Sequence, residues 1–207
     1  YLVGAAIFIA SLVSGNLIFQ KFFSWNPWGL FNFEISVGLL PYPITFVVTD
    51  FICEVYGKRA ANRVVLSGFV ASVFISLLVL VALNVPATAW SPIDDELFRK
   101  VFGLNAPAVF ASMSAYLLAQ FLDVRLFHFW KRVTGGRHLW LRNNFSTITS
   151  QLVDTVCVLA LLCATGLIPW ASFWALLLAG YLFKVLIALC DTPVLYLAVY
   201  LARRRRL

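Results

Sequence analysis

Charged residues are scarce in this sequence. Asp, Glu, Lys and Arg make up 12% of its 207 residues, whereas about a quarter of a soluble globular domain is charged. Hydrophobic residues account for 62% of the chain, and its mean hydropathy is +0.90. So little charge excludes a water-facing surface, and several apolar runs reach the ~18 residues that a bilayer span needs. The composition therefore predicts a chain that lies mostly in lipid.

Paired cysteines and catalytic motifs are missing as well. The four cysteines lie in or beside apolar segments without the C-x-x-C spacing of a metal or redox site, so we interpret them as free, buried, small hydrophobic side chains. No phosphate-binding G-x-x-x-x-G-K-[ST], H-E-x-x-H or G-x-S-x-G motif occurs. His128 and His138 flank a Gly-Gly loop and are poor zinc ligands. The sequence predicts no metal, no cofactor and no enzymatic activity, because an enzyme would have to rely on aspartates alone.

The apolar runs predict an all-α polytopic membrane protein with six transmembrane helices in one domain, residues 1–207. Pro, Gly and Trp residues separate the runs, as at membrane interfaces. The first run has no small-residue cleavage pattern, so we interpret it as a retained helix rather than a signal peptide. The predicted helices cover about residues 1–19, 33–53, 64–85, 107–130, 145–167 and 171–201.

Basic residues predict the orientation of these helices. They cluster after the even-numbered helices, whereas the opposite loops hold only Lys21, Arg99 and Lys100, partly offset by acidic neighbours. Cytoplasmic loops carry the excess of Lys and Arg, so both termini are expected in the cytoplasm. The net charge of +7 then reflects topology rather than nucleic-acid binding. The clusters are Lys58, Arg59 and Arg63; Lys131, Arg132, Arg137 and Arg142; and Arg203, Arg204, Arg205 and Arg206.

Ionisable residues within the predicted spans indicate a polar interior. Each costs ~2.5–3.5 kcal/mol at the bilayer centre even on the lenient insertion scale, so each suggests a function. Helical spacing of three, four or seven residues puts several of them on shared faces, such as Gln151 with Asp154 and Lys184 with Asp191. The polar residues are Asn16, Gln20, Asp50, Glu54, Gln120, Asp123, Arg125, Gln151, Asp154, Lys184 and Asp191.

Two interpretations of these residues stay open. Lys184 could pair with Asp154 or Asp50 as a structural bridge, because a lone buried charge is untenable. The acidic and amide groups outnumber the one deep cation, which favours ligand-binding or proton-binding groups. The leading hypothesis is a midplane site formed by Asp50, Asp154 and Lys184. An intramembrane enzyme using Asp50 with Asp123 or Asp154 is a remote alternative.

Prolines are expected to interrupt two helices. Pro41 and Pro43 remove amide donors from the second helix, and Pro193 does the same in the sixth. Irregular backbone at membrane depth is tolerated where it is buried or lines a polar cavity. Discontinuous helices therefore point to a binding site, although kinks that only improve packing would look the same.

Five segments resemble the queuosine precursor transporter family, also called vitamin-uptake-transporter-like. The most specific is residues 43–59, with the sequence PITFVVTDFICEVYGKR, which contains the family pattern Pro-x-x-Phe-x-x-Thr-Asp followed by Glu-Val-Tyr-Gly-Lys. Four others agree, and together the segments span nearly the whole chain. They are SGN at 14–16, AQFLDV at 119–124, RNNFST at 142–147 leading to Gln151 and Asp154, and FKV at 183–185.

The resemblance implies a bacterial inner-membrane importer of 7-deazaguanine bases, either 7-cyano-7-deazaguanine or 7-aminomethyl-7-deazaguanine, used to make queuosine in tRNA. It also implies six helices and a likeness to the substrate-binding components of energy-coupling-factor transporters. The partners expected are a small-molecule substrate and the lipid bilayer, without nucleic acid. A secondary transporter is the leading hypothesis, and a binding subunit with a separate ATPase partner is the alternative. A homodimer also stays open.

Such a base suits the polar interior, because a carboxylate can accept two of its N–H donors side by side and an amide can donate to its carbonyl. Aromatic rings offer stacking surfaces. The predicted substrate-binding residues are Asn16, Asp50, Glu54, Gln120, Asp123, Asn144, Gln151, Asp154 and Lys184, with Tyr42, Phe46 and Tyr181 as stacking candidates.

Overall fold

The computed structural model describes residues 1–19, 21–26, 29, 33–103, 106–164, 166 and 168–204, and this part of the chain is mostly helical. The prediction of a helical membrane protein is confirmed. The predicted end of the fifth helix at Leu167, and Arg205 and Arg206 of the basic C-terminus, lie outside the described residues. The described α-helices are α1 Leu2–Ile18, α2 Tyr42–Val55, α3 Lys58–Asn84, α4 Asp95–Phe102, α5 Ala106–Val133, α6 Leu139–Ala164 and α7 Phe173–Arg204.

Four helical segments of the described chain are long and apolar enough to cross a bilayer: Val37–Val55, Lys58–Asn84, Leu139–Ala164 and Trp170–Ala202. Large apolar side chains cover their outer surfaces, for example Val70 and Phe74 on α3, which fits contact with lipid. α1 is apolar but has only 17 residues. α5 has 28 residues, and polar side chains interrupt its apolar part. The count of six spans stays a prediction.

The predicted second helix is wrong at its beginning. Residues Phe33–Ser36 form a β-strand, β2, which pairs antiparallel with β1, Phe22–Trp25. Apolar and polar residues alternate from Phe31 to Val37, which is the period of a strand, but the overall hydropathy of this stretch suggested a helix. The hairpin packs on α7, where Ile35 contacts Phe183 and the Trp25 ring lies 5.5 Å from the Phe183 ring.

The prolines do not interrupt helices as predicted. A short 3-10 turn, Val37–Leu39, precedes α2, and Pro41 and Pro43 stand at the start of the helix, where missing amide donors cost nothing. α7 continues as an α-helix through Pro193.

Other helix ends also differ from the predicted ones. α3 begins at Lys58, six residues early, directly after Gly57, whose φ of +85° favours glycine. α6 begins at Leu139 rather than Phe145. The short helix α4 was missed because it is amphipathic rather than apolar; the Asp94 side chain caps it by accepting from the Leu97 amide. The four cysteines are free as predicted, but Cys157 is only partly buried and Cys190 is exposed.

An apolar core joins α1, α2, α3 and α5, with Phe8, Phe46, Val65 and Phe127 at its centre. A second, polar interior lies between α2, α5 and α6. Its residues are almost fully buried, which requires hydrogen-bond partners or neutralised charges. They include Thr45, Thr49, Asp50, Gln120, Asp123, Thr147, Ser150, Gln151 and Asp154.

Candidate functional site

A buried ion pair joins α6 and α7. The Lys184 ammonium lies 2.7 Å from Asp154 Oδ2 and 3.1 Å from the Thr155 hydroxyl. The Tyr42 hydroxyl of α2 donates to the same Asp154 oxygen at 2.6 Å, and the Lys184 nitrogen lies 4.6 Å from the centre of the Tyr42 ring. Both charged side chains are at least nine-tenths buried. One carboxylate thus fixes the positions of a cation and an aromatic ring on two other helices.

Tyr42 and Lys184 line a cleft between α2, α6 and α7. It is partly open to the outside, and its free volume is about 10 Å³, roughly the space of one water molecule, so a larger ligand requires the three helices to move apart. Asp154 is not in the lining and lies behind these two residues. The lining is mostly apolar with a few polar groups: Leu39, Tyr42, Pro43, Phe46, Thr147, Gln151, Phe183, Lys184, Ile187, Ala188 and Asp191.

Two polar groups of the cleft lining have no hydrogen-bond partner among the described residues. The Gln151 Oε1 atom is buried and accepts no hydrogen bond. The Asp191 carboxylate is partly buried, and no hydrogen bond or ion pair reaches it from the residues that the structure describes. An unpaired buried acceptor costs about 1–3 kcal/mol, so a ligand that donates to Gln151 Oε1 would recover that cost.

A hydrogen-bonded contact between α6 and α7 positions Asp191. The Thr192 hydroxyl accepts from Asn144 Nδ2 at 2.8 Å and from Asn143 Nδ2 at 3.4 Å. It also donates to the Ala188 carbonyl at 3.4 Å. Pro193 has no amide hydrogen to donate to the helix. The two asparagines of α6 bind the residue before it, Thr192, and hold this part of α7 against α6. The Asn143-Asn144 segment therefore supports the cleft from behind rather than lining it.

Two aspartates are buried on the same side of α6, beside the cleft. Asp50 of α2 and Asp123 of α5 are 1% and 0% exposed, and both accept hydrogen bonds from α6. The Thr147 hydroxyl donates to Asp50 Oδ2 at 3.4 Å, and the Ser150 hydroxyl donates to Asp123 Oδ1 at 3.0 Å. Thr147 also lines the cleft, so one side chain contacts both places.

A second ion-pair cluster lies where α2 ends, α5 ends and α6 begins. Glu54 Oε2 is 2.6 Å from Arg142 Nη2 and 2.9 Å from Lys131 Nζ. The Arg142 guanidinium also donates to the Gly136 carbonyl at 2.8 Å and lies over the Phe127 ring. Arg142 is 1% exposed, so this cluster closes the polar interior on the side of the basic loops.

The structure brings together only part of the predicted site. Gln151, Lys184, Tyr42 and Phe46 line the cleft, with Asp154 directly behind. The others lie elsewhere. Asn16 is exposed on α1, and Tyr181 does not line the cleft. Glu54 belongs to the ion-pair cluster, and Asn144 to the Thr192 contact. Gln120 donates to the Tyr116 hydroxyl at 2.9 Å. Asp50 and Asp123 form their own pair, so Asp50 does not reach Lys184.

Sequence reasoning missed three lining residues that matter. Asp191 stood among the intramembrane ionisable residues but not among the predicted contacts. Its spacing of two helical turns from Lys184 could have identified it, because both then face one way. Phe183 belongs to a segment that resembles the family, but its position in the wall depends on the packing of the hairpin. Nothing in the sequence distinguished Thr147 from the other hydroxyl residues of the same helix.

Comparisons with known proteins place the chain among membrane transporters. Residues 36–198 match the family described as "Putative vitamin uptake transporter". The "Probable queuosine precursor transporter" of Bacillus subtilis (strain 168) is 30% identical over 171 residues, covering 82% of this chain and 73% of that protein. The "Queuosine precursor transporter" of Escherichia coli (strain K12) is 26% identical over 193 residues, covering 91% and 79%. No solved structure matches the chain.

Proposed function

The chain belongs to the queuosine precursor transporter family, and on that premise we propose that it imports 7-deazaguanine bases across the bacterial inner membrane. The main support for this proposal is the cleft between α2, α6 and α7, whose lining combines aromatic rings, one cation and two acceptors without partners among the described residues. A small heterocycle with several N–H donors and one carbonyl complements this set.

The proposed contacts follow from the chemistry of the guanine edge. Asp191 accepts the ring N–H and the exocyclic amine side by side, as carboxylates do with amino-bearing bases. Lys184 donates to the carbonyl of the base, and Gln151 Oε1 accepts a remaining N–H. Tyr42, Phe46 and Phe183 provide the stacking surface. Asp154 keeps its place behind the cleft and holds Lys184 and Tyr42 in position.

We propose six spans with both termini in the cytoplasm. Several basic residues lie on the side of the Glu54 cluster. Lys58 and Arg59 begin α3, directly after the end of α2, and Lys131 lies near the end of α5. Positive residues in the first turn of α3 oppose the helix dipole, which suggests that topology rather than helix stability keeps them there. The hairpin of β1 and β2 would then cover the periplasmic side of the cleft.

A binding assay with the purified protein tests the site. We expect both 7-deazaguanine bases to bind in calorimetry, and Gln151→Leu and Asp191→Asn to weaken each at least tenfold without lowering the melting temperature. The fold gains nothing from either acceptor, so only ligand affinity should fall. Thr149→Val is the control, because Thr149 is an exposed residue of the same helix. Unchanged affinities in both variants would refute the assigned contacts.

A transport assay tests the mode of import. Proteoliposomes that contain only this chain should accumulate the base, as a secondary transporter does. Tight binding without accumulation would instead indicate a binding subunit that needs an ATPase partner. Neither binding nor uptake of a 7-deazaguanine base, in vitro or in cells unable to make it, would refute the proposed function.

A further inference from the structure

The pair formed by Asp50 and Asp123 lacks hydrogen-bond donors. Asp50 Oδ1 and Asp123 Oδ2 are both buried, and neither has a hydrogen-bond partner within the described part of the chain. Thr147 and Ser150, one turn apart on α6, bind one carboxyl group each and so hold the two side by side, yet two ionised carboxylates offer acceptors only. The two hydroxyls reach the other two oxygens and leave Asp50 Oδ1 and Asp123 Oδ2 without a donor.

The cations around the pair are already engaged. Lys184 is bound to Asp154, and Arg142 and Lys131 are both bound to Glu54. Among the described residues, no ion pair therefore joins a cation to Asp50 or Asp123. Two adjacent buried carboxylates without a counter-charge repel each other, which disfavours the doubly ionised state and favours a pair that shares one proton.

We propose that Asp50 and Asp123 hold one exchangeable proton between Asp50 Oδ1 and Asp123 Oδ2, and that this proton is the coupling ion of transport. Its coupling role rests on the proposed function. The proton enters from the periplasmic side, is shared by the two oxygens in the loaded state, and leaves to the cytoplasm, so one H⁺ moves with each base. No other bond is made or broken.

Thr147 links this proton to the substrate. Its hydroxyl donates to Asp50, and its side chain lines the cleft beside Tyr42 and Gln151. A base that displaces Thr147 changes the donors around Asp50 and with them the affinity for the proton. The other groups facing the pair are Cys53 and Glu54 on α2, Lys131 on α5 and Arg142 on α6, and their ion pairs keep the charge around it fixed.

Infrared spectroscopy tests the shared proton without any transport. The purified protein should show the carbonyl stretch of a buried protonated carboxyl, and both Asp50→Asn and Asp123→Asn should remove it. An asparagine amide donates to the remaining carboxylate, so each variant keeps the geometry of the pair. Glu96→Gln is the control and should leave this band in place, because Glu96 is an exposed carboxylate on α4. Absence of such a band in the wild-type protein would overturn the proposal.

Proteoliposomes with an internal pH dye test coupling. Addition of base to the wild-type protein should acidify the lumen by about one proton per base taken up, and either aspartate variant should lose this signal. Uptake that needs sodium and moves no proton would overturn the proton assignment while leaving the proposed function intact. Loss of base binding in both aspartate variants would likewise overturn it, because the pair would then be a substrate contact.

Discussion

Asn144 Nδ2 lies 2.8 Å from the hydroxyl of Thr192 and thereby fixes the segment of α7 that carries Asp191 and Pro193. The asparagine also donates to the Trp140 carbonyl of its own helix at 2.8 Å, so its side chain has little freedom. A proline inside a helix loosens the local backbone. The contact across to α6 is therefore what holds the carboxylate of Asp191 toward the cleft.

Removal of the Asn144–Thr192 contact should weaken substrate binding more than it weakens the fold. We expect Asn144→Ala and Thr192→Val each to reduce affinity for the base about three- to tenfold, since Asp191 loses its fixed position. The double variant should be little worse than either single variant, because both remove the same hydrogen bond. Calorimetry measures these affinities. Strictly additive losses would contradict the positioning role, and Thr149→Val serves as the unaffected control.

Variants of the Lys184–Asp154 pair can distinguish a structural role of this pair from a role in transport. Either Lys184→Met or Asp154→Asn leaves an uncompensated buried group and should destabilise the protein by about 3–5 kcal/mol. The double variant removes both charges and should recover most of the thermal stability in detergent. It should not recover uptake, because Lys184 is the only cation in the described cleft lining. Recovered uptake in the double variant would show that the pair is only a structural bridge.

Arg142→Lys should be poorly tolerated despite keeping the charge. The guanidinium contacts Glu54 and the Gly136 carbonyl with two different nitrogens, and a lysine ammonium cannot reproduce this fork. We expect a lower melting temperature in detergent and less protein in the membrane. Arg63→Lys, at an exposed position of α3, is the matched control. Equal melting temperatures for the two variants would contradict the role assigned to the guanidinium.

Gly38→Ala should destabilise the junction between α1 and the beginning of α2. A Cβ atom at Gly38 would lie 2.5 Å from the Gly15 carbonyl oxygen and 2.6 Å from Phe19 Cβ, so one element must move. Overpacking of this kind costs about 1–3 kcal/mol. Gly4→Ala is the control, because its Cβ would meet Ile52 and Val48 at an ordinary 3.6 Å. Thermal unfolding should rank Gly38→Ala clearly below Gly4→Ala.

Hydropathy and charge predicted the helical membrane fold because these properties act over many residues at once. The same averaging hid the strand at Phe33–Ser36, whose alternation covers only a few residues within an apolar stretch. It also hid α4, which has no apolar run. Pro41 and Pro43 correctly marked a place where regular helix is broken. The predicted interruption of a helix was wrong, because α2 begins there and proline is compatible with the first turn of a helix.

The candidate site was predictable as a set of residue types but not as an arrangement. Spacing correctly put Gln151 and Asp154 on the buried face of α6, since both are 3% exposed. It gave no information on which helices are neighbours. The pairing of Asp50 with Asp123, and of Glu54 with Arg142, depends on contacts between helices far apart in sequence. Local periodicity therefore could not separate the cleft from the ion-pair cluster beside it.

The buried charges are compensated in groups, and this restricts how the protein can evolve. A lineage that replaces Lys184 alone keeps an unpaired Asp154, and one that replaces Glu54 alone keeps two unpaired cations. Either intermediate is costly inside a membrane. We expect these positions to change jointly across related genomes, so that each charged group is inherited as a unit while the lipid-facing residues around it drift freely.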